Sequence, residues 1–71
     1  MSRETTEFII YIINEIANLR GKSTSTVYCA FEQSGCIQKY LAPLYDVLHT
    51  MSPQMVVKDV EKYVAARGGS L

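Results

Sequence analysis

Residues 8–13 read Phe-Ile-Ile-Tyr-Ile-Ile, six apolar side chains in succession within a chain of 71 residues. On a helix, six in a row point in every direction, so no single packed face can cover them all. A chain this short forms one domain, close to the lower size at which a single hydrophobic core holds a fold without metals, disulfides or self-association. How it covers that run therefore decides its architecture. A bilayer is not the answer, since a membrane helix needs about 20 apolar residues and no run here approaches that length.

Helical spacing explains most of the run. Phe8, Ile12, Ile16 and Leu19 recur at helical intervals, with Ile9 and Ile13 beside them, and the Asn-Glu-Ile-Ala-Asn-Leu-Arg stretch after them does not alternate as a strand would. The β-branched isoleucines favour the competing strand assignment. The pattern predicts a helix over Arg3–Arg20, capped by Ser2 or Thr5, with Glu4 and Glu7 at its positive end and Gly21 as its stop. At about 100° per residue, Phe8, Leu19, Ile12, Ile16, Ile9 and Ile13 share an arc of about 140° that suits a domain core. Ile10 and Tyr11 fall outside that arc and form the candidate interface. A second copy of the chain, in a two-fold homodimer, is the partner expected to cover them, and a different protein could use the same surface.

The remaining elements are marked by caps and breakers. Ser23 or Thr24 is placed to cap a second helix running to about Gln33, with Val27, Tyr28, Ala30 and Phe31 on its apolar side and Gly35 at its end. A short helix is expected from Ile37 to about Leu41. Pro43 breaks the helical pattern beyond it and is expected at the first position of another turn, around Leu44 to His49. Ser52 followed by Pro53 is a cap and first-turn proline in the preferred order. They open a last helix with Val56, Val57, Val60, Tyr63 and Val64 on one side and Lys58, Glu61 and Lys62 on the other. Residues 68–71, with two glycines, are expected to fray. The expected fold is all-α, about four short helices in one small orthogonal bundle spanning 1–71.

Composition excludes more functions than it suggests. Hydrophobic residues at 48% and charged residues at 20% are ordinary for a folded domain. Seven basic residues balance seven acidic ones, so no net field draws in nucleic acid or an anionic membrane. The opening Met-Ser-Arg-Glu-Thr-Thr-Glu is not a basic-then-apolar leader, which makes cytosolic, reduced Cys29 and Cys36 the expectation. Seven residues apart across a glycine turn, the two are expected as free thiols and small buried hydrophobes. With neither CxxC nor HxxxH and no glycine-rich phosphate loop, no metal or cofactor is expected.

The string Tyr40 to Thr50, YLAPLYDVLHT, is the most distinctive. On a helical turn Tyr45 and His49 stack at i and i+4 and Asp46 reaches His49 at i+3, a set that could do acid–base work. No nucleophile or oxyanion site accompanies it, so Asp46 and His49 are expected to tie the ends of a short turn, while Tyr40 and Tyr45 pack with their hydroxyls at the surface. His49 is expected to be buried or hydrogen-bonded to a neighbouring backbone or carboxylate group. No catalytic residues are assigned and the chain is not read as an enzyme. The second and third elements have helix-turn-helix spacing, which makes a DNA-binding regulator the alternative. Its recognition helix would offer only Gln38 and Lys39.

Three stretches, EFIIYIINEIA, SGCIQKYLAPLYDVLHT and DVEKYV, resemble a family of short bacterial proteins, a domain of unknown function found in gut anaerobes. Tyr45 to Thr50 is the most specific part, and Met51 departs from a glutamine frequent there. The resemblance implies small helical proteins encoded beside toxin-like or ADP-ribosyltransferase-like proteins. It implies an accessory or antitoxin-like binding role, and no activity. Together with the uncovered Ile10 and Tyr11, the expectation is a non-catalytic protein-interaction module of the bacterial cytoplasm.

Overall fold

A computed structural model describes all 71 residues. It is all-α: α1 is Arg3–Arg20, α2 is Thr24–Ser34, a π-helical segment covers Ile37–Leu41, α3 is Tyr45–Leu48 and α4 is Pro53–Ala66. No helix is long and apolar enough to cross a membrane.

Three serines start the three long helices in the same way. Ser2, Ser23 and Ser52 each have extended backbone, and each side-chain oxygen accepts the amide three residues on, from Thr5 at 3.1 Å, Thr26 at 3.1 Å and Met55 at 3.3 Å. Each bond satisfies an amide that the helix itself leaves without a partner. Pro53 occupies the first turn of α4, where its missing amide costs nothing. Gly35 ends α2 at φ 74°, and a Cβ there would sit 3.3 Å from Lys39 Cδ, so both backbone and space favour glycine.

Pro43 acts upstream of where the sequence pattern puts it. A proline ring clashes with the carbonyl four residues earlier in an α-helix. Here the chain widens before reaching it, and the Ala42 amide bonds five residues back to Ile37 O at 2.9 Å. Ile37–Leu41 is therefore helical over the expected span but of the π kind, with Cys36, Ile37 and Leu41 all buried. Pro43 itself lies in the turn between that segment and α3. α3 begins at Tyr45 after Leu44, two residues later than a first-position proline would require.

One core joins all five segments. α1 supplies Ile9, Ile12, Ile13, Ile16 and Ala17, and α2 supplies Val27 and Phe31. Cys36, Ile37 and Leu41 come from the π region, Leu48 from α3, and Val56, Val57, Val60 and Val64 from α4. α1 packs against both α2 and α4, which also touch each other. The expected arc on α1 has the right width but is turned by about 40° at 100° per residue: Ala17 is buried and Leu19 is 67% exposed. The three-residue connection at 21–23 lays α2 along the Ile13–Ala17 edge, where alanine permits close approach. Leu19 is left on the rim of a groove with Pro53 and Val57.

Surface bonds tie the rest. Arg20 Nε donates to Glu61 Oε2 at 2.8 Å, joining the end of α1 to α4, and Arg3 pairs with Glu7 one turn on at 3.0 Å. Partly exposed pairs of this kind contribute at most about 1 kcal/mol. Residues 68–71, expected to fray, turn back on α4: the Gly69 amide donates to Val64 O at 3.0 Å and Leu71 packs against the core.

Truncation should separate the buried stripe from its rim. Ile16→Ala is expected to cost about 2–5 kcal/mol in urea unfolding and Leu19→Ala less than about 0.5 kcal/mol. A comparable loss for Leu19→Ala would return that residue to the core and contradict the rotated stripe.

Candidate functional site

The string Tyr40–Thr50 does not converge on one site. Tyr45 is half-buried, its ring edge-on to Phe8 with centroids 5.5 Å apart, which pins α3 to α1. His49, the residue after α3, is exposed and lies flat on Tyr45 at 4.5 Å. Its Nδ1 is 2.7 Å from Tyr45 O and donates to it, which assigns the proton to that nitrogen in the neutral ring. This is the expected backbone hydrogen bond, on a residue that is exposed rather than buried. Thr50 Oγ1 donates to Val47 O at 2.7 Å, closing the same turn. Asp46 makes no bond to His49. It lies on the wall of an open cavity of about 510 Å³ with Ser2, Thr5, Gln38 and Tyr45.

Tyr40 faces elsewhere. Half-buried, it stacks on Tyr63 of α4 with centroids 5.1 Å apart, and the Arg67 guanidinium carbon sits 3.5 Å from the Tyr63 ring centre. Burial, then the nearby Asp59 charge and the Cys36 thiol, raise the Tyr40 hydroxyl above its ordinary range. The string thus works as two brackets, one holding α3 to α1 and one holding the π segment to α4. No nucleophile, base and acid meet in it. No group of three or more His, Cys, Asp or Glu side chains comes together to hold a metal ion.

Ile10 and Tyr11, adjacent in sequence and expected to share one interface, lie on different flanks of α1. Tyr11 is 45% exposed and stands away from α2. Ile10, 52% exposed, borders a trough between α1 and α2. Two adjoining cavities, of about 390 and 300 Å³, share Ile10, Ile13 and Tyr28 and make it continuous. Ile9 and Ile37 lie in its floor, and Asn14, Thr24 and Ser25 close one end. Tyr28, 48% exposed, is the partner of Ile10 that sequence reasoning missed, because its helical spacing placed it on the apolar side of α2. Hydrogen bonding to Glu32 one turn on, and that carboxylate's charge, hold the Tyr28 hydroxyl above the usual phenol range. Glu32 is the one ionisable side chain besides Tyr28 that lines the trough.

These features fall within a known family. Residues 7–67 match the family described as "Protein of unknown function (DUF3791)". The chain belongs to this family. The matched span runs from the residue before Phe8 to Arg67, so DUF3791 takes in both aromatic brackets and nearly all of the trough, and its description assigns no activity. A domain of unknown function is what the sequence resemblance implied. No curated protein and no solved structure matches the chain.

The cysteines are both free thiols in unlike settings: Cys29 is exposed, against the expectation that both are buried, while Cys36 is wholly inside. Cys29 falls on the side of α2 opposite Phe31, which a helical wheel shows and composition does not. Burial pushes the Cys36 thiol up to about 12, partly opposed by the charge of Arg67. A folded-state pKa raised this way stabilises the fold below the unfolded thiol's value, and that contribution is lost as pH rises from about 9 toward about 12. In native protein Cys29 should alkylate readily and Cys36 only after unfolding, as read by mass spectrometry. Cys36→Val should flatten part of the alkaline decline in stability. Equal labelling rates for the two thiols would contradict the burial of Cys36.

Proposed function

We propose that this protein is a non-catalytic protein-interaction module whose docking face is the trough between α1 and α2. The observation that carries the reading is the trough itself, where Ile10 and Tyr28, each about half exposed, stand over a floor of core isoleucines. The radius of gyration, 10.9 Å, is that of a well-packed chain of this length, about 11 Å. The uncovered residues are therefore a feature of the finished fold and not of incomplete collapse. The separation of Asp46 from His49, and the use of His49 Nδ1 in a backbone hydrogen bond, support a role without catalysis.

The partner we infer is a second copy of the chain. With Glu32 the one carboxylate lining the trough, the surface can meet itself about a two-fold axis with a single acidic side chain from each copy. A domain of 71 residues gains stability by such association. The setting follows the sequence resemblance: the bacterial cytoplasm, in an accessory or antitoxin-like role beside a toxin-like protein. The DNA-binding alternative rests on Gln38 and Lys39, the exposed side chains of a π segment whose Ile37 and Leu41 are buried.

Size exclusion with light scattering at up to roughly 1 mM, a concentration that reveals even weak dimers, tests the reading. Wild type and Tyr11→Lys should run as dimers, and Ile10→Lys as a folded monomer by circular dichroism. A monomeric wild type across that range, or dissociation by Tyr11→Lys and not by Ile10→Lys, would overturn it.

A further inference from the structure

A second concavity lies at the opposite end of α2 from its cap and shares no residue with the trough. Ala30, Gln33 and Ser34 of α2 face Arg67, Gly68, Gly69 and Ser70 across about 320 Å³. We propose that it binds a phosphate group, with Arg67 as the anchoring cation.

The state of Arg67 is the first ground. Arg3 and Arg20 are paired with carboxylates, and Arg67 has none within ion-pair distance. It is nonetheless held in place: its guanidinium covers the Tyr63 ring at 3.5 Å and Nη1 donates to Tyr63 O at 3.3 Å. Tyr63 is itself fixed by its stack on Tyr40. Nε and Nη2 bond to nothing in the protein. A guanidinium resting on a ring and bonded once to the backbone, with no carboxylate partner, keeps two donors in the fork geometry that suits phosphate oxygens.

The walls are the second ground. No carboxylate lines the cavity, whereas Gln33 and Ser70 bring an amide and a hydroxyl, and the Ser70 backbone amide donates to no group of the protein. Two helix ends close by disfavour an anion, and five of the carbonyls there are already occupied. Gly35 N–H reaches Phe31 O and Glu32 O, and Ser34 Oγ donates to Phe31 O. On α4, Gly69 and Arg67 amides serve Val64 O, Gly68 serves Ala65 O, and Arg67 Nη1 serves Tyr63 O. The wall formed by residues 67–70 is also shaped tightly. Gly68 has φ 83°, and a Cβ on Gly69 would come within 2.7 Å of Val64 Cγ1, so this turn is built for glycine. A phosphate fits better than a carboxylate, because donors stand on both sides of the space and a carboxylate has only two oxygens to offer them. Arg67 as a mere neutraliser of the α4 end accounts for its charge and not for a carboxylate-free cavity around two spare donors.

The test is a ¹H–¹⁵N titration of the full chain with inorganic phosphate at constant ionic strength, with acetate in a parallel arm. Saturable shifts are expected at the Gln33, Ser34, Gly69 and Ser70 amides, with a Kd of about 1–10 mM, and acetate should bind at least about fivefold more weakly. Arg67→Gln should abolish saturation, Arg67→Lys should weaken binding about fivefold, and Gln33→Glu should weaken it about tenfold by placing a carboxylate on the wall. If Arg67→Gln does not fold, Gln33→Glu carries the test, since Gln33 is exposed on α2 and its side chain makes no hydrogen bond in the fold. Absence of saturable shifts up to about 50 mM would overturn the proposal. So would equal binding of acetate, shifts that map to another region, or variants that bind as wild type does.

Discussion

Ile12 and Ile16, one turn apart on α1 and wholly out of contact with solvent, stand where α2 and α4 both meet the first helix. Each side chain of this size adds about 1.5–3 kcal/mol when fully buried. A domain of this length has about 4–10 kcal/mol of net stability, so these two contacts are comparable to the whole margin. Their direction fixes the rotation of α1, and that rotation decides what else the helix can cover. Turned toward α2, the stripe takes in Ala17, leaves Leu19 at the rim of the α4 groove, and brings Ile10 to the edge of the α1–α2 trough. Ile10 lies just past Ala17 around the helix and so stays at the rim of the stripe, half exposed.

The aromatic residues then secure elements too short to hold themselves. α3 has four residues and the π segment five, well below the length at which a helix persists in water. Phe8 against Tyr45 and Tyr40 against Tyr63 supply long-range contacts that local hydrogen bonds cannot. Edge-on and stacked aromatic pairs each add about 0.5–1.5 kcal/mol beyond their burial. The same string that holds these contacts also stacks His49 on Tyr45 and bonds it to its own turn.

Helix limits were legible because each long helix carries its own punctuation. Ser2, Ser23 and Ser52 cap where a hydroxyl before an apolar repeat should cap, and Gly21 and Gly35 stop where expected. The faces were less legible. A wheel assigns width but not rotation, which depends on where α2 and α4 land, so Leu19 was placed in the core and Tyr28 was not seen as the counterpart of Ile10. Cys29 differs, since the wheel of α2 alone sets it opposite the buried Phe31 and only its residue type suggested burial. The π character of Ile37–Leu41 has a sequence signal in Pro43, but proline marks only that the hydrogen-bond ladder must change and not how far upstream the change begins. The Arg67 concavity could not be read from the chain at all, since it joins Gln33 to residues more than thirty positions away.

The central claim is that the flank formed by Ile10 and Tyr28, which the fold leaves half exposed, is where we propose a second copy docks. An isotope-filtered NOE experiment on an equal mixture of ¹³C-labelled and unlabelled chain tests it most directly, because it reports contacts between copies and not within them. The account predicts intermolecular cross-peaks from the Ile10 and Ile13 methyl groups to the Tyr28 ring. Cross-peaks confined to Tyr11 and Leu19, or none between copies at any accessible concentration, would contradict it.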